Sequence, residues 1–89
     1  MRMKYIRFKN NGLNVIVQFQ ELITHKRMAQ CLRSQMDTID PLMEHAVISA
    51  GFTQIDSDGK ICCFGESESL GVKSLPEDTQ ILQAQYSPY

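Results

Sequence analysis

The stretch KYIRFKNNGLNVIVQF, residues 4–19, decides the fold, because it divides into two strands around one turn. Asn11-Gly12 at its centre is the strongest short signal for a type I′ turn, which needs positive φ at both central positions. This turn imposes the facing pairs Lys4–Phe19, Tyr5–Gln18, Ile6–Val17, Arg7–Ile16, Phe8–Val15 and Lys9–Asn14. Even residues of the first strand and odd residues of the second then form one apolar face. We therefore predict a β-hairpin over residues 3–20.

A helix is predicted to follow the hairpin. Thr24 is suited to cap its N-terminus, and the helix is expected to end near Met36. At helical spacing, the residues expected to face the hairpin are Met28, Cys31, Leu32 and Met36. The residues expected on the exposed face are Lys26, Arg27, Gln30 and Arg33.

The middle of the chain has two interpretations. Residues 37–44 are a connection, and Asp40-Pro41 could begin a short helix that ends at Gly51. We favour a strand over 46–55, because that segment is rich in β-branched and aromatic residues. The run 56–59 (DSDG) is a turn, and a strand over 60–66 completes a second hairpin.

The end of the chain predicts a second helix. Ser74 and Glu77 have the spacing of a capping box, and the helix is expected to reach Tyr86 with Ile81 and Leu82 also facing inward. Residues 66–73 are read as irregular and 87–89 as a frayed tail. The predicted fold is a single α+β domain, ordered over about 3–86, in the order ββαββα. Its antiparallel or mixed four-stranded sheet is built of two hairpins, with two helices on one face.

Composition predicts a cytoplasmic protein that is not associated with a membrane. Hydrophobic residues make up 43% of the chain and charged residues 21%, as in ordinary globular proteins. Charges interrupt every apolar run before it reaches the length of a signal peptide or a membrane span. The odd number of cysteines, 3, is typical of reduced thiols.

Charge is distributed unevenly along the chain. Residues 1–33 carry seven basic side chains and one acidic side chain, a net charge of +6, whereas residues 34–89 carry −7. Cations beside free N–H groups at a helix start suit an anion, although a solvated helix start is the favoured interpretation here, because salt screens the charges. The candidate partner or anion contacts are Tyr5, Arg7, Lys9, Thr24, Lys26, Arg27 and Arg33.

Motifs for chemistry are incomplete. The run 65–69 (GESES) lacks the final glycine of a nucleophile elbow, and the turn 56–59 lacks two ligands of a calcium loop. The cysteines and histidines do not have the spacing of a zinc site. We therefore expect no metal, no cofactor and no enzymatic activity.

Three runs resemble small uncharacterised proteins of tailed phages and prophages. They are SAGF at 49–52, FGESESLG at 64–71 and SLPED at 74–78, within a likeness that covers roughly residues 20–86. The resemblance implies a phage or prophage origin, and with it the cytoplasm of a bacterial host, but no activity. Its most specific part marks a loop of interest, with Glu66, Ser67, Glu68 and Ser69.

These observations favour a non-enzymatic accessory protein that acts through protein–protein contacts. The partner expected for the basic segment is a host or phage protein with an acidic surface, or a second copy of this chain. The alternative is a nucleic-acid-binding module that uses the basic first third. A small hydrolase or thiol enzyme is the third hypothesis.

Overall fold

The structure is a computed structural model that describes residues 2–10, 12–39 and 46–86. The strands are β1 (Arg2–Asn10), β2 (Leu13–Phe19), β3 (Ala46–Ile55), β4 (Ile61–Phe64), β5 (Glu66–Ser67) and β6 (Val72–Lys73). The helices are α1 (His25–Ile39) and α2 (Asp78–Tyr86). The first four strands form an antiparallel sheet in the order β2-β1-β3-β4, and β5 pairs with β6.

The first hairpin has the predicted register. β1 and β2 pair from Lys4–Phe19 to Lys9–Asn14, with every facing pair as expected. Gly12 has φ 82°, as the predicted turn requires, while Asn11 lies outside the described residues. The turn and the alternation of apolar residues together specify this register.

Replacing Gly12 with Val should lower the free energy of unfolding by more than about 1 kcal/mol, because a β-branched residue is strained at positive φ. Apart from the adjacent residues of the chain, no atom of the described residues lies within 4 Å of the position that a Cβ would take, so the loss would come from the backbone alone. Gly12→Asn is the matched control, since Asn tolerates this conformation. Equal denaturation midpoints for wild type and Gly12→Val would contradict the turn assignment.

The second hairpin is also confirmed. The segment 46–55 is strand β3, as we preferred. The alternative, a short helix that begins at Asp40-Pro41, is therefore wrong over residues 46–50. Its first residues, 40–45, lie outside the described part of the chain. In the turn, the Asp56 carboxylate accepts hydrogen bonds from the N–H groups of Asp58 and Lys60, both at 2.9 Å. The segment expected to be irregular contains the short β5–β6 ladder.

The four-stranded sheet and the two helices are confirmed, but the helices lie on opposite faces, not on one. Ile6 and Phe8 of β1 pack with Ala29 of α1. Tyr5 of β1, which points to the other face, packs with Leu82 of α2. Tyr5 and Arg7, which were predicted to contact a partner, are instead buried, because α2 supplies partners for them. Lys9 on the same strand is exposed.

The inward face of α1 differs from the prediction. His25 and Ala29 are buried and Met28 and Leu32 pack against the core, whereas Cys31 is exposed. His25, Ala29 and Leu32 recur at helical spacing on the inward face, and Cys31 lies off that face. The helix continues to Ile39, beyond the expected end. The side chains of Arg33, Met36 and Tyr86, and the tail 87–89, lie outside the described residues.

α2 also covers both outer edges of the sheet. Gln85 pairs with Ile16 of β2, accepting from its N–H at 2.9 Å and donating to its carbonyl at 3.1 Å. On β4, the Cys63 N–H donates to Thr79 Oγ1 at 2.9 Å, and Gln83 donates to the Ile61 carbonyl at 3.0 Å. These bonds occupy edge groups that would otherwise be free to pair with another chain.

Candidate functional site

A recess of about 430 Å³ opens where the start of α1, the ends of β1, β3 and β4, and the loop after β4 come together. Its aromatic surface is formed by Phe52 and Phe64, which face each other across the β3–β4 ladder. The two rings are stacked with centroids 6.0 Å apart. Phe64 is 36% exposed, which leaves its ring available to a ligand.

The basic side of the recess is formed by Arg2 and Lys4, both already bonded within the fold. The Arg2 guanidinium lies 4.6 Å from the Phe52 ring centroid and forms an ion pair with Glu21. Lys4 Nζ donates to the Ile23 carbonyl at 3.0 Å. Lys4 lies on the same face of β1 as the core residues Ile6 and Phe8.

The acidic side of the recess comes from the loop between β4 and β6. Glu66, Glu68 and Ser69 line it, and Gly65, at φ 81°, directs the chain around the opening. Ser67 is buried, and its Oγ accepts from the Leu70 N–H at 3.2 Å. Three of the four loop residues marked by the sequence therefore contribute to the recess, while Ser67 holds the loop in place.

The start of α1 uses its N–H groups within the fold. Thr24 Oγ1 accepts from the Arg27 N–H at 3.1 Å, which confirms Thr24 as the N-cap. Ser69 Oγ accepts from the Lys26 N–H at 3.1 Å. An anion at this helix start would have to displace these hydroxyls. The N–H groups of Lys26 and Arg27 are therefore already bonded and not free to bind an anion.

His25 joins α1 to the sheet beneath the recess. Its Nε2 lies 2.8 Å from the Gly51 carbonyl, which can only accept, so Nε2 carries the proton. The ring makes edge contacts with Phe19 and Phe52. Burial, together with the charge of Lys4, lowers the pKa of His25 despite the opposing hydrogen bond to Gly51. The imidazole is therefore neutral at pH 7.

Stability should fall as the pH drops below about 6.5, the ordinary histidine value. The unfolded chain binds a proton there before the folded chain does, because the folded pKa of His25 is the lower one. Melting temperatures measured between pH 7.5 and 5 should show this loss, and His25→Gln should remove it. A pH profile in His25→Gln identical to wild type would contradict the assignment.

A second polar centre lies on the opposite face of the sheet, under α2. Asp78 is fully buried and accepts from Arg7 Nη1 at 2.9 Å, from the Tyr5 hydroxyl at 2.5 Å and from the Leu75 N–H at 3.0 Å. The Ser74 hydroxyl lies 2.7 Å from that of Tyr5. The capping interaction is thus displaced by one residue. Asp78 and not Glu77 reaches back, and it bonds the N–H of Leu75 and not that of Ser74.

Charge and burial set the pKa values of this centre. Burial acts to raise the pKa of Asp78, but the hydrogen bonds from Leu75, Tyr5 and Arg7 hold it below its ordinary value. Burial and the neighbouring carboxylate raise the pKa of Tyr5. Arg7 also lies 3.2 Å from Glu77. Because these groups satisfy one another, the centre fixes α2 to the sheet.

The predicted basic contact surface is therefore divided. Tyr5 and Arg7 are buried against α2, so they are not available to a partner. Lys9 is exposed on the α2 side of the hairpin, whereas Lys26 and Arg27 are exposed on α1. Of Tyr5, Arg7 and Lys9, which share one face of β1, two are therefore inside the protein and Lys9 is at its surface.

No protein-family model matches the chain. No curated protein and no solved structure gives a significant match either. Within the described residues, no helix is long and apolar enough to cross a membrane, and no three metal-binding side chains are grouped together.

Proposed function

We propose that this protein is a non-enzymatic accessory protein that binds another protein at the recess beside α1. The observation that carries the proposal is the stacked, partly exposed Phe52–Phe64 pair between side chains of both charges. Aromatic side chains at the centre of a polar rim are the usual anchors of protein–protein interfaces.

An exposed leucine lies next in sequence to a residue that contacts the recess. Leu22 is 94% exposed and directly follows Glu21, the ion-pair partner of the recess residue Arg2. Such a side chain at a loop tip gains most by burial against a second protein, at about 25 cal/mol per Å². The resemblance to phage and prophage proteins supports a bacterial or phage partner.

The groups suited to catalysis have structural roles, which supports a binding function. His25 is held by Gly51, and Ser69 accepts from the first turn of α1. In the other centre, Asp78 and Tyr5 are enclosed beneath α2. A general base must reach the proton that it removes, and the enclosed pair is closed to a substrate.

The test is affinity capture from a bacterial lysate, followed by mass spectrometry, with three forms of the protein. Wild type and Leu13→Ser should retain the same partner, and Phe64→Ser should lose it. Leu13 is the matched control, because it is 70% exposed but does not line the recess. Retention of the same proteins by all three forms would contradict the proposal.

A further inference from the structure

We infer that the recess receives an arginine side chain of the partner, on Phe64 and between Glu66 and Glu68. This inference rests on the proposed function and names the chemistry of the partner. The molecule itself contains an example of the contact. Arg2 lies over Phe52 and is held there by the carboxylate of Glu21.

Phe64 lines the same recess as Phe52 and Arg2, but no cation of the described residues lies over its ring. It stacks beside Phe52 at 6.0 Å, and Glu66 and Glu68 line the same recess. Among the described residues, a cation–ring contact is found between Arg2 and Phe52, and no cation lies over the Phe64 ring. A guanidinium of the partner could occupy the position over Phe64 that corresponds to that of Arg2 over Phe52. It would then have a ring face below it and carboxylates beside it.

The two carboxylates are available for such a contact. The ion pairs among the described residues use Glu21, Glu77 and Asp78, and neither Glu66 nor Glu68. Lys73 faces Glu66 across the β5–β6 ladder without forming an ion pair with it in that part of the chain. A partner's guanidinium would therefore not have to displace an existing cation.

An anionic group is disfavoured at the same place. The Lys26 and Arg27 N–H groups are bonded to Ser69 and Thr24. Arg2 and Lys4 are bonded to Glu21 and to the Ile23 carbonyl. Each of these donor groups thus has an acceptor within the fold, whereas Glu66 and Glu68 form no ion pair in the described part of the chain, so a cation is the complementary ligand. Arginine fits better than lysine, because its planar guanidinium stacks on rings and pairs with carboxylates in a fork.

The test is a titration of the isotope-labelled full chain with an acetylated and amidated Gly-Arg-Gly peptide, followed by NMR at constant ionic strength. The peptide is taken to ~50 mM, because ligands of this size bind weakly. Saturable shifts should be confined to the amides of Phe52 and residues 64–69. The same peptide with citrulline, which lacks the charge, should bind about tenfold more weakly.

Variants locate the contact. Glu66→Gln and Glu68→Gln should each weaken binding about threefold, as expected for the loss of one exposed charge pair. Asp58→Gln removes one charge at the turn 56–59, outside the recess, and should leave the affinity unchanged. Equal binding of citrulline, equal binding by a Glu66→Gln/Glu68→Gln double variant, or no shift at all would overturn the inference.

The same double variant separates this inference from the proposed function. If it still captures the partner that Phe64→Ser loses, the recess is the binding site but does not depend on an arginine, and the inference fails alone. If Phe64→Ser captures the partner as well as wild type does, the proposed function fails with it. The result expected is loss of capture in both variants, with unchanged NMR spectra outside the recess showing that both remain folded.

Discussion

Replacing Asp78 with Ala is expected to destabilise the protein by about 3–5 kcal/mol, which is the usual effect of removing one partner from a buried ion pair. Arg7 would keep its charge in a site where its side chain is only 7% exposed. The Tyr5 hydroxyl and the Leu75 N–H would lose their acceptor as well. Domains have only about 5–15 kcal/mol of stability, so the variant should lose a large share of it and melt at a clearly lower temperature.

Glu77→Ala is the matched control for this prediction. Glu77 is the other carboxylate that pairs with Arg7, but its side chain is 53% exposed. Exposed pairs contribute about 0–1 kcal/mol, so urea denaturation should show a small effect. Similar losses in Glu77→Ala and Asp78→Ala would contradict the account of a buried centre.

The same carboxylate makes stability depend on pH in a defined direction. The folded pKa of Asp78 is lower than the unfolded value, so its stabilising contribution is complete above about pH 4, the ordinary range of the group. It is lost as the pH falls through the folded pKa. Asp78→Asn should therefore lose stability at neutral pH and show a weaker further decline in acid.

Replacing Gly51 with Ala is expected to cost about 3 kcal/mol, at the upper end of the range for overpacking a core. The added Cβ would lie 2.4 Å from the Phe64 carbonyl oxygen, which is backbone and cannot rotate away. β4 and the loop that follows it would have to move. Because the Gly51 carbonyl also bonds His25, the disturbance would reach the start of α1.

Gly71→Ala is the control, because Gly71 has open space around it and a φ of 70°. It should cost about 1 kcal/mol, the strain of a left-handed alanine. NMR spectra should show shifts around Phe64 and Gly65 for Gly51→Ala and only local shifts for Gly71→Ala. A Gly51→Ala variant with wild-type stability would show that the close approach of the two strands is wrong.

The elements that could be predicted are those specified by short-range signals. The turn at residues 11–12 and the alternation around it determine a complete register, and β-branched content locates β3. Thr24 marks the start of α1, because a capping hydroxyl acts over three residues. In each case the partners are close in sequence or are paired by one turn.

The position of α2 could not be predicted, because it depends on a pairing across 71 residues, between Arg7 and Asp78. A strand face that carries Tyr5, Arg7 and Lys9 is typical of a face exposed to solvent. Burial of Arg7 becomes possible because Asp78 supplies a carboxylate for it. Ile16, which lies opposite Arg7, was the signal that this face is partly apolar.

The recess was missed for the same reason. Its aromatic pair comes from β3 and β4, its cations from β1 and its carboxylates from the loop after β4, and only the folded chain brings them together. The loop was singled out by its resemblance to phage proteins. Phe64, at the start of the same run, was not marked, because an aromatic residue in a strand is most simply read as core.

The central claim is that the partner lies over the recess. The most direct test is site-specific photo-crosslinking in cells, with a photoreactive phenylalanine analogue placed at position 64 and, in a separate variant, at position 13. The account predicts that position 64 forms a crosslink to one partner protein, that the crosslink disappears in the Glu66→Gln/Glu68→Gln background, and that position 13 forms none. Crosslinks to that partner from position 13 and not from position 64 would contradict it.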